Sequence, residues 1–246
     1  MDKPQPLISF IIPVFNEEKH LLETINPLNG LTWLDKEIIV ADGGSTDNTM
    51  AIARQLADKV YVRASGEKNK SIAENRNKGA SLASGKYLFF LDCGVKIGKL
   101  DEFVKKVLET MEQSPKNVGL TLEIRFYPSQ ENDVDRFNLW VINKTITNLN
   151  KIKLGMAFGW VQVVRGEAFK QIGGYNETLI TSEDADLFKR LSKLGRTICL
   201  KDFIAYGSAI RYHTEGWPKI IGLALVNFVS YIFRKKSYSK EWKKIN

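Results

Sequence analysis

Asp92 is the first residue in the chain whose type and position suit chemistry. It follows Tyr87–Leu91, five apolar residues that are too few for a helix and too apolar for an exposed strand. Such a run is typical of a strand buried on both faces of a parallel sheet. Open α/β sheets bind ligands beyond the carboxyl ends of their strands, so a carboxylate here lies where such a fold binds its ligand. The alternative is an Asp that only caps the turn made with Cys93 and Gly94.

Two more carboxylates stand where a ligand or a proton could be bound. Asp42 follows the apolar run 37–41 and precedes Gly43-Gly44, which lets the backbone approach a ligand. Asp184 ends the run Ser182-Glu183-Asp184, at the start of a helical pattern. Each has a structural alternative, because an Asp can cap a turn and acids in a first helical turn offset the helix dipole. The residues alone leave both alternatives open.

Several classes of enzyme are excluded by missing motifs. The sequence has no GxGxxG after its first strand and no GxxxxGK[ST], so it lacks the phosphate loops of Rossmann dehydrogenases and P-loop NTPases. HExxH and GxSxG are also absent, which leaves metalloprotease and α/β-hydrolase functions without support. The two histidines are His20, expected on the surface of the first helix, and His213.

The elements that must position the carboxylates alternate between strand and helix. Apolar runs predict strands at residues 7–14, 37–41, 59–63 and 87–91. Helical spacing lies between them, and the first helix is expected to run from an Asn16 N-cap to about Leu28. This β-α-β-α-β-α-β order indicates a parallel sheet. Further along we expect strands at 117–126 and 160–165 and a helix at 133–149.

The composition indicates one main core in a reducing compartment. The chain has 246 residues, 43% of them hydrophobic, enough for one substantial core and a small appendage. Cys93 and Cys199 are far apart and lie in no CxxC or Cys/His cluster, so we expect neither a disulfide nor a structural zinc site. Residues 1–6 contain no apolar segment, so nothing indicates secretion.

Positive charge is concentrated at the C-terminal end. The formal net charge is +8, and residues 234–246 contribute +5 through six cations and one acid. This distribution argues against a nucleic-acid surface and for a local electrostatic contact. The apolar run at 220–233 is shorter than the roughly 17–25 residues that span a bilayer, so it is a core helix or an interfacial one. Trp217, Trp242 and the basic tail favour the interface and an anionic membrane.

Five sequence motifs, taken in order, resemble those of family 2 glycosyltransferases with the GT-A fold. They are IIPVFNE at 11–17, EIIVADGGSTDNT at 37–49, RNKG at 76–79, ASGKYLFFLD at 83–92, and GGYNE at 173–177 with SEDADL at 182–187. The resemblance covers roughly residues 7–200 and implies an α/β GT-A fold with a Rossmann-like, mainly parallel sheet flanked by helices. We expect a GT-A domain at 1–215, with a donor half of about 1–98 and an acceptor half of about 99–215, and an apolar helix with its basic tail at 216–246.

The function implied by this resemblance is inverting sugar transfer. The donor would be a nucleotide-diphosphate sugar, UDP-linked by expectation, and the acceptor a hydroxyl group in a polysaccharide, glycolipid or other glycoconjugate. The expected location is cytoplasmic, at the inner face of the membrane. The alternative is a nucleotide-sugar-binding protein that has lost transfer and acts in an assembly.

The resemblance also assigns site residues. The donor-side residues would be Pro13, Phe15, Glu17, Asp42, Lys70, Arg76 and Asp92. Pro13, Phe15 and Glu17 would line the base and ribose, and Asp42 would accept from the imide N–H of a pyrimidine. Arg76 and Lys70 would contact the diphosphate, where a planar guanidinium suits phosphate oxygens.

On the other side, Asp184 would be the base that takes the proton of the acceptor hydroxyl. Gly174, Tyr175 and Glu183 would lie on the acceptor side, with the Tyr175 ring offering a face for a sugar.

A divalent metal is expected, although Gly94 stands where the family usually has a second acid. One possibility is that Asp92 and His213 hold Mg²⁺ or Mn²⁺ together with the phosphates of the donor. The other is that Lys96, with Lys70 and Arg76, supplies fixed positive charge instead. A weakly held metal is favoured, because a retained Asp92 would otherwise face the diphosphate as a like charge.

Overall fold

A mixed sheet of eight strands runs through the residues that this computed structural model describes, which are 6–64, 71–234 and 237–238. The strands are β1 (Ile8–Val14), β2 (Lys36–Asp42), β3 (Lys59–Val62), β4 (Tyr87–Leu91), β5 (Lys96–Ile97), β6 (Asn117–Phe126), β7 (Val161–Arg165) and β8 (Arg196–Gly207). The helices are α1 (Leu21–Asn29), α2 (Thr49–Leu56), α3 (Ile72–Ser81), α4 (Leu100–Glu112), α5 (Asp133–Lys151), α6 (Gly166–Gln171), α7 (Glu183–Leu191), α8 (Ile210–Glu215) and α9 (Trp217–Arg234).

The strand order is β3-β2-β1-β4-β7-β6-β8-β5. The first four positions are parallel, as the sequence predicts. β7 then pairs antiparallel with both β4 and β6, β8 is parallel to β6, and β5 is antiparallel to β8. The α/β prediction is confirmed, and the second half of the sheet is mixed. Because β5 pairs with β8, the expected donor and acceptor halves share one sheet.

The central strands are buried on both faces. Phe10 and Ile12 of β1 join one apolar core, whereas Ile11 between them joins the other. Phe89 and Phe90 of β4 are divided in the same way, and every residue of β4 is buried. Neighbouring side chains of a strand point to opposite faces, so the sheet is covered on both sides.

Helix α3 packs close to the sheet because it carries Gly79. A Cβ at this position would lie 2.5 Å from Cγ2 of Ile11 and 3.3 Å from Cβ of Ala41. Only glycine allows so close an approach. Arg76, about one turn earlier on α3, is thereby carried into the interior, where it is 1% exposed.

The first helix begins later than predicted. It starts at Leu21, and Asn16 is not its N-cap. Asn16 has a left-handed backbone with φ 54°, which Asn tolerates better than most residues, and its Oδ1 accepts the N–H of Thr46 at 2.8 Å. The residue expected to cap a helix instead joins two loops.

The apolar run at 220–233 lies in α9, which is 18 residues long. Trp217 is buried, whereas Ile221, Leu223 and Val226 are each more than 40% exposed. None of the helices in the described ranges is long and apolar enough to cross a membrane. The basic tail, apart from Arg234, Ser237 and Tyr238, lies outside the described residues.

Candidate active site

The loops after β1 and β2 are joined by hydrogen bonds. The N–H of Asn16 donates to Oγ of Ser45 at 2.8 Å, and the N–H of Glu17 donates to Oγ1 of Thr49 at 2.7 Å. Thr46 donates back to the Asn16 side chain. The two donor-side motifs, about 30 residues apart in the sequence, therefore form one connected edge at the carboxyl ends of β1 and β2.

Asp42 is buried at this edge, and its carboxylate holds its own turn. It accepts the N–H of Gly44 at 3.1 Å, the N–H of Ser45 at 3.0 Å and the Ser45 hydroxyl at 2.5 Å. The turn-capping alternative is therefore realised. A carboxylate has about four acceptor sites, so a nucleobase N–H could still be accommodated, and that role stays a prediction. Nearby, Phe15 is 40% exposed, whereas Pro13 is buried in β1.

Arg76 is the centre of the candidate site. Its Nη2 donates to Oδ1 of Asp92 at 2.7 Å and to the carbonyl oxygen of Gly159 at 3.0 Å, and its Nη1 donates to Oε1 of Glu183 at 2.8 Å. The Tyr175 ring lies 5.3 Å from its Cζ atom. The structure thus joins residues that the sequence predicts separately, from α3, the end of β4 and the start of α7.

Three carboxylates crowd around this single guanidinium. Burial raises the pKa of Asp92 and of Glu183, although the charge of Arg76 opposes the rise. Burial and the neighbouring charge of Glu183 raise the pKa of Asp184 to about 7. Burial also disfavours the charge of Arg76, but its carboxylate partners outweigh that effect and raise its pKa. A carboxyl group with a pKa near 7 suits general-base chemistry at neutral pH.

Gly159 lies where these side chains meet. A Cβ on this residue would be 3.3 Å from Nη2 of Arg76, 3.4 Å from Oδ2 of Asp184 and 3.9 Å from Oδ2 of Asp92. The expected base and the expected phosphate-side residues therefore face one point that carries no side chain of its own. Sequence reasoning missed Gly159, which belongs to none of the motifs noted above.

The backbone is strained where α7 begins. Ser182 has φ 66°, a left-handed conformation that is costly for a non-glycine residue, and its side chain makes no cap hydrogen bond. Glu183 is bound to Arg76, and Oδ1 of Asp184 accepts the N–H of Ala185 at 2.8 Å. The Ser182 side chain therefore does not cap α7.

The prediction that the Tyr175 ring offers a face to a sugar is wrong. The residue is 2% exposed, and its ring packs edge-on against Phe90 with the centroids 5.0 Å apart. Asn77 holds its main chain, because Oδ1 of Asn77 accepts the Tyr175 N–H and Nδ2 donates to the Tyr175 carbonyl oxygen, both at 2.9 Å. At Gly174, with φ 74°, a Cβ would lie 2.6 Å from Oδ1 of Asn77. Gly174 and Tyr175 therefore support the site from within.

Gly94 lies against the start of α1. Its φ is 82°, and a Cβ there would be 3.6 Å from Cβ and Cγ of His20, which is exposed as predicted. The N–H of Gly94 donates to Oγ1 of Thr24 at 2.9 Å. Lys96, the alternative source of positive charge, forms an exposed ion pair with Glu23 at 2.8 Å.

His213 and Asp92 contact different partners. Nε2 of His213 lies 2.8 Å from Oδ2 of Asp135, whose Oδ1 accepts the indole N–H of Trp217 at 2.7 Å. Asp92 instead contacts Arg76. The joint role of His213 and Asp92 at a metal therefore stays a prediction.

The donor set of this site suits a metal that the substrate helps to hold. No group of three or more His, Cys, Asp or Glu side chains within the described ranges could bind a metal alone. One carboxylate completed by substrate phosphates is a common way to bind Mg²⁺, and Asp92 fits that arrangement. Lys70 lies outside the described residues, so its contact with the diphosphate remains untested.

A cavity of about 960 Å³ lies at the opposite edge of the sheet. It is lined by residues such as Leu7, Gly85, Lys86 and Arg165, next to the amino ends of β1 and β4. Ligands of open α/β sheets bind at the carboxyl ends of the strands, so the carboxylate cluster is the stronger candidate despite the size of this cavity.

Comparison with known sequences identifies the family. The model of the family described as "Glycosyl transferase family 2" matches residues 9–173, more than half of the chain. The chain belongs to glycosyl transferase family 2. The matched range includes the donor-side residues up to Asp92 and ends before Gly174, so Asp184 lies beyond it.

Curated members of the family are similar over most of the chain. The succinoglycan biosynthesis protein ExoA of Rhizobium meliloti (strain 1021) is 30% identical over 205 residues, which are 78% of this chain and 60% of ExoA. Glycosyltransferase AglE of Haloferax volcanii is 28% identical over 80% of this chain and 65% of AglE. Chondroitin synthase of Escherichia coli is 27% identical over 78% of this chain and 27% of the synthase. The chain thus spans less than two thirds of each of these relatives.

Solved structures show the same fold. The mannosyltransferase PcManGT from Pyrobaculum calidifontis, in complex with GDP-Man and Mn²⁺, superposes with a TM-score of 0.69 at 17% identity, over 95% of this chain and 66% of that one. S. aureus TarS 1-349 gives a TM-score of 0.62 at 17% identity, over 93% of this chain and 72% of that one. The predicted GT-A fold is confirmed.

Proposed function

We propose that this chain transfers a sugar from a nucleotide-diphosphate sugar to a hydroxyl group with inversion at the anomeric carbon. The observation that carries the proposal is the convergence of Asp184, Asp92 and Arg76 over Gly159, with the pKa of Asp184 raised to about 7. Membership of glycosyl transferase family 2 supports the reaction class.

Asp184 is the proposed base. In an inverting transfer the acceptor oxygen attacks the anomeric carbon from the side opposite the leaving nucleotide, and its proton must be removed as the bond forms. With a pKa of about 7, the Asp184 carboxylate is partly ionised at neutral pH and basic enough to accept that proton.

Arg76 is the proposed fixed cation near the leaving diphosphate. Its partners hold it rigidly, so its charge needs no reorganisation when negative charge develops on the leaving group. Nε of Arg76 is buried and has no hydrogen-bond partner among the described residues, which leaves a donor available to an anion.

A divalent cation, Mg²⁺ or Mn²⁺, would be held by Asp92 and the donor phosphates, with His213 as the expected second protein ligand. When bound, it would neutralise part of the charge on the diphosphate. We expect turnover to need millimolar Mn²⁺ or Mg²⁺ and His213→Ala to raise that requirement. Full turnover in EDTA would contradict this and favour Lys96 instead.

Residues 99–215 are the proposed acceptor half, with Glu183 on that side, and residues 1–98 the donor half, within a GT-A domain at 1–215. The names of ExoA and chondroitin synthase favour a polysaccharide or another glycoconjugate as the acceptor. We place the protein at the cytoplasmic face of the membrane, with residues 216–246 on anionic lipid. The exposed apolar side chains of α9 and the charge of +5 at 234–246 support this location.

A protein that binds a nucleotide sugar without transferring it is the second candidate. Gly94 favours it, because the position offers no carboxylate for a metal. A thermal-shift screen across UDP-, GDP- and dTDP-sugars, followed by a transfer assay with the stabilising donor, separates the two. We expect stabilisation by UDP-sugars and turnover; tight binding without turnover on any acceptor would support the second candidate.

A further inference from the structure

Helix α5 carries an exposed apolar stripe on the body of the domain. Val134, Phe137, Trp140 and Val141 are each more than 40% exposed, and Ile152, directly after the helix, is 65% exposed. The spacing of 134, 137 and 141 places three of these side chains on one helical face. Ile152 follows Val134 by 18 residues, or about five helical turns, and so lies on the same side of α5. We call these five residues the α5 stripe.

Two features of the α5 stripe are unusual for a surface exposed only to water. The rings of Phe137 and Trp140 stack on each other with centroids 6.3 Å apart and an interplanar angle of 27°, yet both remain more than half exposed. Val134 to Val141 cover about 10 Å of the helix, and Ile152 lies about 16 Å further on, beyond the exposed polar side chains of Thr145 and Asn148. A cluster of exposed apolar side chains of this kind marks an interaction site.

Cations border the α5 stripe. Lys144, Lys151 and Lys153 are all exposed beside it. Asp133, the exposed acid of the helix, is paired with Arg136 at 2.8 Å, and Asp135 is buried. The border of the stripe therefore has a net positive charge, which complements an anionic surface.

We propose that the α5 stripe docks on an anionic lipid bilayer, with Phe137 and Trp140 in the interfacial region and the lysines on the headgroups. Aromatic rings on one side of a helix with cations at its edges are typical of helices that lie in the membrane interface. A second copy of the chain would face the same lysines across a two-fold axis, so its like charges disfavour it. A glycan would need convergent polar groups in a concave site, which a convex apolar helix face does not provide.

The docked orientation would bring the candidate site close to the membrane. Asp135, in the first turn of α5, contacts His213 and Trp217. The neighbouring Tyr212 packs against Trp217 with ring centroids 4.6 Å apart, and Asp184 is among the charges that act on its hydroxyl group. The inference rests on the proposed membrane location, but it assigns the contact to the folded domain and does not depend on the tail.

Vesicle co-sedimentation of the full chain tests the proposal, with phosphatidylglycerol–phosphatidylcholine vesicles compared with phosphatidylcholine alone. We expect Phe137→Ser/Trp140→Ser to lower the partition coefficient on anionic vesicles at least tenfold. Trp33→Ser is the matched control, because Trp33 is an exposed tryptophan outside the stripe, and it should bind like the wild type. Lys243→Glu/Lys244→Glu, which changes only the tail, should retain part of the binding.

A second measurement reports how deeply Trp140 inserts into the bilayer. Trp140→Phe should still bind vesicles but lose much of the quenching of tryptophan fluorescence by brominated lipid. Wild-type partitioning of Phe137→Ser/Trp140→Ser would overturn the proposal. A sedimentation coefficient of Phe137→Ser/Trp140→Ser that differs from the wild-type value without lipid would also overturn it, because it would indicate that the α5 stripe binds a second copy of the chain. Loss of binding to a soluble glycan with unchanged vesicle binding would also overturn it. Absence of transfer by every variant would contradict the proposed reaction and leave the vesicle result standing.

Discussion

The residue that organises the candidate site is Arg76, which each nearby carboxylate either contacts or faces. Asp92 and Glu183 bind it directly, and Asp184 lies within reach of the same point above Gly159. One cation cannot compensate three buried acids, and burial raises the pKa of all three carboxyl groups. The pKa of Asp184, whose carboxylate accepts the N–H of Ala185, rises to about 7.

Gly159→Ala should lower turnover roughly tenfold to a hundredfold, because the new methyl group occupies the space shared by the reacting side chains. The Cβ would lie 3.3–3.9 Å from three functional atoms. Steady-state kinetics with saturating donor measures the effect. Gly222→Ala is the matched control, because a Cβ there meets nothing within 4 Å, and it should leave turnover unchanged. Equal activities for the two variants would remove Gly159 from the site.

Turnover should rise as the pH increases through about 7, because only the ionised form of Asp184 can accept a proton. Because the pKa of Asp184 lies well above the ordinary value for an aspartate, the carboxyl group is largely protonated at pH 5 and ionised at pH 9. A pH–rate profile with saturating donor measures this rise in turnover. It should persist in His20→Gln and in His213→Gln, and its loss in either variant would assign the titration to a histidine.

Individual elements are fixed by contacts that join distant parts of the sequence. Arg76 ties α3 to the end of β4 and the start of α7. In Arg76→Lys, one ammonium group replaces a planar fork and cannot reach both Asp92 and Glu183. We expect the free energy of unfolding to fall by about 3–5 kcal/mol, because a buried carboxylate loses its partner. Urea denaturation measures the change, and a loss below about 1 kcal/mol would contradict the central position of this ion pair.

The loop between β1 and α1 is held in the same way by Asn16. Asn16→Ala removes the hydrogen bond to Thr46 and puts alanine at φ 54°, so we expect weaker nucleotide binding and a stability loss of about 1–2 kcal/mol. Calorimetry with UDP measures the binding. Asn29→Ala is the control, because Asn29 is an exposed asparagine at the end of α1 whose bond to the Leu56 carbonyl oxygen is 3.4 Å long. If both variants bound UDP equally well, the loop would not be part of the donor site.

Local patterns predict much of this fold, and contacts between distant residues account for what they miss. The strand at 117–126 is predicted with the bounds that β6 has, because apolar residues alternate with other residues from Val118 to Phe126. The prediction that Asn16 caps the first helix is wrong, because nothing nearby in the sequence indicates its bond to Thr46. The prediction of a sugar-binding face on Tyr175 is wrong, because its ring packs against Phe90, which lies 85 residues away in the sequence.

At the scale of the whole molecule, one sheet brings together the residues predicted for the donor side and for the acceptor side. Parallel strands β1, β2 and β4 direct their carboxyl ends to the edge that holds Asp42 and Asp92. The acidic motif with Asp184 follows β7 in the chain, and α7 places it against Arg76. The resemblance predicts these residues, and the folded sheet explains why motifs about 90 residues apart in the sequence meet at one point.

Asp184→Asn tests the central claim most directly, because amide and carboxyl groups have nearly the same shape and only the carboxylate can act as a base. The measurement compares turnover on the acceptor with calorimetric affinity for the donor in the same preparation, at pH 8. The account predicts that transfer falls by at least about a hundredfold, whereas the donor Kd changes less than about threefold. Near-wild-type turnover with saturating donor would contradict the assignment of Asp184 as the base.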